Sequence, residues 1–157
     1  MMSRMAARSR AREVALQLLF QFDQNPVPVP RRPIERFASD RLTGDRGLAA
    51  FCLELYDGVQ AHRADLDAKL SATAENWKLH RMAVVDRNVL RLGAFELLHA
   101  EELQPLEVVI TEAVELARRY GSKDSPGFVN GILDKIARGR PAGPPPAAVS
   151  AADLPPP

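Results

Sequence analysis

Apolar residues recur at helical spacing along most of the chain and nowhere alternate convincingly with the period of two that a strand requires. Val14, Leu18, Leu19 and Phe22 share one helical face and predict a first helix that starts near Ser9. Ile34 and Phe37 predict a short second helix opening at Pro33, a residue suited to a first helical turn. Leu48, Cys52, Leu55, Val59, Leu66 and Leu70 form a heptad-like stripe, with a break expected near Gly58. A further helix is expected from about Val85 to Ala100, with Val85, Val89, Leu92, Phe95 and Leu98 or His99 facing inward. After Pro105 the run LEVVI reads locally like a buried strand, but Ala113, Leu116, Ala117 and Tyr120 continue it at helical spacing. Its acids (Glu107, Glu112, Glu115) lead and its bases (Arg118, Arg119) trail, as the helix dipole favours. Gly121 stands where a left-handed C-cap belongs. Ser125-Pro126 supplies an N-cap and first-turn proline for a last helix packing Val129, Ile132, Leu133 and Ile136, closed by Gly139. The pattern is that of an all-α protein, a compact bundle of six to seven helices.

Proline placement divides this pattern. Of 13 prolines, four fall within residues 26–33 and seven within 141–157. The first group predicts a semi-extended connector over residues 24–33, because the residue before each proline is pushed out of the helical region. Residues 140–157 carry no aromatic side chain and few large aliphatics, which predicts a disordered tail and leaves residues 1–139 as the folded domain. At 157 residues, 46% apolar and 26% charged, the chain has enough material for one domain with a real core. No apolar run approaches the roughly 20 residues needed to span a bilayer, and no signal-peptide pattern opens the chain. With Cys52 as its one cysteine it is expected to be cytoplasmic.

The usual catalytic patterns are missing. The nine glycines form no phosphate-binding loop, no nucleophile elbow occurs, and His62, His80 and His99 are far apart in sequence. Asp65 and Asp67 point to different faces of a helix, Glu101-Glu102 reads as a solvated pair, and Cys52 lies in an apolar stripe. No enzyme activity, cofactor or metal is expected. Net charge is +1, so bulk charge indicates no partner, but four arginines precede the first acid, Glu13. Arginine's planar fork suits phosphate, and Arg8 and Arg12 share a helical face. Far along the chain, GSKDSPGFVNG puts Lys123, small polar residues and Phe128 at a helix start, with Phe128 off the apolar face. An aromatic ring beside hydrogen-bond donors is what single-stranded RNA uses for stacking. The plainer alternatives are a solvated arginine tail and a phenyl ring packed locally against its own loop.

Three segments together resemble the NusB family of transcription antitermination factors. They are RSRAREVALQLLFQ (8–21), VDRNVLRLGAFELL (85–98) and EVVITEAVELARRYGSKDSPGFVNGILDKIA (107–137), the last being the most specific. The resemblance implies two packed helical subdomains and a non-enzymatic protein. It further implies binding to boxA-type single-stranded RNA of ribosomal RNA leaders together with the ribosomal protein NusE, within an RNA polymerase antitermination complex. Position by position, it implies RNA contacts from Arg8, Arg10, Arg12, Phe20, Lys123, Asp124, Ser125 and Phe128, and a NusE-facing surface at Asp86 and Arg91. Ser9 stands where some relatives carry a further arginine, and Phe20 where relatives often have tyrosine. A homodimer is compatible with the heptad-like stripe. The alternative reading is the NusB-like ribosomal-RNA-binding module of an RNA cytosine methyltransferase without its catalytic domain, and a third is an interaction protein that never touches RNA.

Overall fold

The structure, a computed structural model, describes residues 4–24, 30–74 and 78–139. Its seven α-helices are α1 (Arg4–Gln24), α2 (Arg31–Arg41), α3 (Arg46–Ala61), α4 (Arg63–Thr73), α5 (Val84–Leu98), α6 (Leu106–Tyr120) and α7 (Ser125–Arg138). A single 3-10 turn at Leu79–Arg81 precedes α5, and no strand occurs among the described residues. The all-α expectation holds. Helices α1, α2 and α3 pack together, as do α4, α5, α6 and α7, and α5 lies against both groups.

That central place explains the composition of α5. Its residues Asn88 to Leu97 are all buried, so no face of the helix is left for solvent. Any polar group among them needs a partner inside, because an unpaired polar group in an apolar interior costs several kcal/mol, roughly 2–7 by transfer measurements. Asn88, Arg91 and Glu96 are those groups: Glu96 anchors α1, Arg91 anchors both α1 and α4, and Asn88 accepts from Arg91 within α5.

Several local expectations shift. The first helix begins at Arg4 instead of Ser9, so the arginine segment is helical. Helix α2 opens at Arg31 with Pro30 before it, which moves residues 31–33 out of the expected connector. Residues 25–29 of the connector, Trp77 and the tail 140–157 lie outside the described residues. The heptad-like stripe does break, but at His62, which closes α3 and opens α4. Gly58 has a different job: the Phe95 ring fills the place where its Cβ would be, within 2.0 Å. It lets α3 approach α5 and does not interrupt the helix.

The α6–α7 turn also departs from expectation. Gly121 is extended (φ −95°, ψ −164°), not left-handed. It is needed for space, since a Cβ there would come within 2.5 Å of Ser125 Oγ and 2.7 Å of the Ala117 carbonyl oxygen. Ser125 is the first residue of α7 and Asp124 is its N-cap, without a capping bond from the Asp124 side chain. The Ser125 hydroxyl accepts the Ser122 N–H at 2.9 Å and so braces the turn from inside.

Candidate nucleic-acid interface

The three α1 arginines named from sequence occupy three environments. Arg12 is 2% exposed, and its Nε and Nη2 donate to both carboxylate oxygens of Glu96 on α5 at 2.9–3.1 Å. Burial pushes the Glu96 carboxyl above its ordinary range, an effect partly offset by the Arg12 hydrogen bond and charge. Arg12 is therefore corrected from a phosphate contact to an interior rivet. Arg8 is half-buried with its guanidinium 5.0 Å from the centroid of the Phe51 ring of α3, a cation–π contact. Arg10 has a side chain 38% exposed and donates to Glu13 at 2.7 Å.

Glu13 ties this arm to the end of α6. Its carboxylate also accepts from Arg119 at 2.6 Å and from the Tyr120 hydroxyl at 2.5 Å. Four residues earlier on α1, Ser9 Oγ donates to Glu112 of α6 at 2.7 Å. Tyr120 leads directly into the 121–124 turn, so the arginine arm and the turn belong to neighbouring parts of one surface. Burial, followed by the bond to Glu13, raises the Tyr120 pKa and keeps its hydroxyl a donor.

Two grooves lie along this surface. The larger, of about 560 Å³, is lined by Gln17 and Phe20 of α1, Phe37 and Arg41 of α2, Val85 and Asn88 of α5, and Tyr120. Phe20 and Tyr120 are exposed aromatics, at 42% and 38%. The Gln17 Oε1 atom is buried and accepts no hydrogen bond from the described residues. The smaller groove, of about 250 Å³, is formed by Met82, Asp86, Ser122, Asp124, Ser125 and Phe128. Val85 lines one groove and Asp86 the other, so the first turn of α5 is the divide between them.

The remaining positions sort clearly. Lys123 and Asp124 are exposed on the turn, Ser125 is 1% exposed beneath it, and Phe128 is half-buried, packed against the edge of the core. Asp86 sits beside Phe128 in the smaller groove, with Oδ1 buried and unpartnered among the described residues. Arg91 is corrected from a surface contact to an interior one: it is 4% exposed and donates to Asp67 (2.7 and 3.0 Å), Asp23 (3.2 Å) and Asn88 (3.1 Å). Asp23 also accepts from Arg63 at 2.6 Å and Arg87 at 3.3 Å. Burial acts to raise the Asp23 pKa, but the Arg63 hydrogen bond and the Arg91 and Arg63 charges outweigh it and hold the carboxyl below its ordinary range.

No cluster of three metal-ligating side chains occurs among the described residues. Cys52 is fully buried and its thiol is pushed up to about 12, chiefly by desolvation. His62 and His99, distant in sequence, stack with ring centroids 4.1 Å apart, and His99 meets Asp65 at 2.8 Å.

Comparison with known proteins decides what this surface belongs to. The NusB family profile matches residues 9–138. The chain belongs to the NusB family. It is 46% identical over 134 residues to the transcription antitermination protein NusB of Anaeromyxobacter dehalogenans (strain 2CP-1 / ATCC BAA-258), covering 85% of this chain and 92% of the relative. It is 47% identical over 133 residues to that of Sorangium cellulosum (strain So ce56), with coverage of 85% and 93%. Among solved structures, T. maritima NusB superposes with a TM-score of 0.75 at 37% identity, covering 85% of this chain and 92% of that one. A structure of the antitermination factors NusB and NusE in complex with dsRNA shares the fold, with a TM-score of 0.75 at 24% identity and coverage of 85% and 97%.

Within this NusB-family surface, sequence reasoning missed Tyr120, Phe37 and Arg41. Tyr120 reads as a core position by helical spacing, yet the structure leaves it 38% exposed with its hydroxyl on Glu13. The available signal was its place as the last residue of α6, beside two arginines and ahead of the turn.

Proposed function

We propose that this chain is a non-catalytic RNA-binding antitermination factor that binds boxA-type single-stranded RNA of ribosomal RNA leaders together with NusE, and so supports processive ribosomal RNA transcription. One observation carries the reading: Glu13 joins Arg10 of the arm to Arg119 and Tyr120, which adjoin the turn bearing Lys123, Asp124 and Phe128. One strand can then meet cations on α1 and rings at Phe20, Tyr120 and Phe128 without crossing the molecule. Arg8, Arg10 and Lys123 supply attraction to phosphate that is indifferent to sequence, while the rings stack unpaired bases. Ser125 acts from beneath by holding the turn. Asp86, unpartnered beside Phe128, either accepts from a base or faces NusE. The relatives named above are transcription antitermination proteins, and this chain covers 92% and 93% of their lengths. That favours the antitermination reading over a methyltransferase module.

The test is fluorescence anisotropy of a labelled boxA oligonucleotide, with and without NusE, in rising salt. With about three phosphates contacted, log K should fall against log salt with a slope of roughly −2 for a single strand. NusE should raise the RNA affinity and RNA the NusE affinity by equal factors, as linkage requires. A flat salt dependence, or preference for a duplex of the same sequence over the single strand, overturns this reading.

A further inference from the structure

Helix α2 is strongly basic. It carries four arginines, Arg31, Arg32, Arg36 and Arg41, against two carboxylates, Glu35 and Asp40. Its inner side is accounted for by Ile34 and Ala38, both buried. Arg31 is also accounted for: it holds Asp57 of α3 with two bonds, at 2.6 and 2.8 Å, and reaches Glu35 at 3.1 Å. Arg32, Arg36 and Arg41 are exposed, and none of them forms an ion pair with a carboxylate among the described residues. All three line one open groove on the outer side of the helix, with Phe37 and Asp40.

Phe37 and Arg41 line this groove and the Phe20–Tyr120 groove alike, so the two adjoin. Arg41 is fixed at that junction, its guanidinium 3.6 Å from the centroid of the Phe37 ring. A guanidinium stacked on a ring keeps its in-plane N–H donors available for an anion. Arg36, five residues before Arg41, and Arg32, one turn before Arg36, line the rest of the same groove. Three guanidiniums without ion-pair partners among the described residues, lining one groove beside another walled by exposed aromatics, complement a chain of phosphates better than a single anion.

We propose that the outer face of α2 is a second phosphate-binding track, in which Arg41, Arg36 and Arg32 hold the backbone of the RNA strand after its bases leave the Phe20–Tyr120 groove. The inference rests on the RNA-binding reading above and lengthens the footprint it implies. Asp40 is the one carboxylate on the track, and it weakens binding there.

The experiment compares the wild type with Arg32→Gln/Arg36→Gln and with Arg32→Gln/Arg36→Gln/Arg41→Gln. The probes are a labelled boxA oligonucleotide and the same RNA extended at either end by a stretch of unstructured nucleotides. On one of the extended RNAs the triple variant should bind about 10–100-fold more weakly at 0.1 M salt, and its salt slope should flatten by about 2. The double variant, which keeps the Arg41–Phe37 stack, should flatten the slope by about 1.4. Asp40→Asn should tighten binding to that RNA. The short oligonucleotide should lose far less than the extended one. Identical slopes for wild type and triple variant, with wild-type binding intact, overturn the α2 track alone. Failure of the wild type to bind either RNA overturns both readings. Loss of binding to phosphatidylserine vesicles, with RNA binding unchanged, also overturns the track and reassigns the face to a membrane surface.

Discussion

Helix α1 meets α5 at two polar centres, and their polarity is reversed. Toward the N-terminus an arginine of α1, Arg12, enters a carboxylate of α5, Glu96. Toward the C-terminus a carboxylate of α1, Asp23, receives Arg87 and Arg91 of α5 and Arg63 of α4. The first is a nearly dry pair of Arg12 with Glu96, with Glu112 of α6 at 4.0 Å from the same guanidinium, and the second a cluster richer in arginine, with Arg63 31% and Arg87 16% exposed. Between and beside them α1 turns Arg10 and Phe20 outward. Residue type does not separate interior from outward-facing arginines on this helix. The partner waiting on α5 does.

That contrast can be broken at either end. Glu96→Ala leaves the buried Arg12 guanidinium without its two-pronged partner, with only Glu112 at 4.0 Å as counter-charge among the described residues, and should cost about 3 kcal/mol in urea unfolding, while the molecules still folded bind RNA normally. Asp23→Asn should cost less, about 1.5–3 kcal/mol, because Arg63 and Arg87 can turn toward water. Its pH signature is distinctive. A lowered folded-state pKa means that Asp23 stabilises the fold above its unfolded pKa, and that this contribution disappears as pH falls through the lowered folded value. The wild type should therefore lose its advantage over Asp23→Asn on acidification below about pH 4, measured as converging urea midpoints. On the outer face, Phe128→Ala should weaken boxA binding by about 1–3 kcal/mol. Normal binding with earlier melting would show that the ring serves the core edge alone. Smallest of all, Arg10→Gln should change stability by less than about 0.5 kcal/mol and flatten the salt slope by about 0.7. An Arg10→Gln variant that unfolded like Glu96→Ala would erase the distinction between the two sides of α1.

The helices were legible because a stripe of leucine and valine at a spacing near 3.6 has few other solutions. Where helices end was less so. Gly58 and Gly121 look like breakers in one dimension, but their need for hydrogen in place of Cβ comes from Phe95 and Ser125, one of them 37 residues away in sequence. Arg8, Arg10 and Arg12 are equivalent as letters and could be sorted only by what faces them across the fold. A hint was present in LRLGAFELL, where Arg91 and Glu96 interrupt an otherwise apolar run and so call for interior partners. Tyr120, Phe37 and Arg41 come from distant stretches, and no local pattern announces a groove assembled from four helices.

The brace between Ser122 and Ser125 bears on how a ligand is caught. Because the hydroxyl under the turn already satisfies the amide above it, and Gly121 leaves no slack beside that hydroxyl, the segment is held in one shape without a ligand. On the proposed function, a strand landing there would forfeit little freedom of the protein, so a handful of contacts would suffice to hold it.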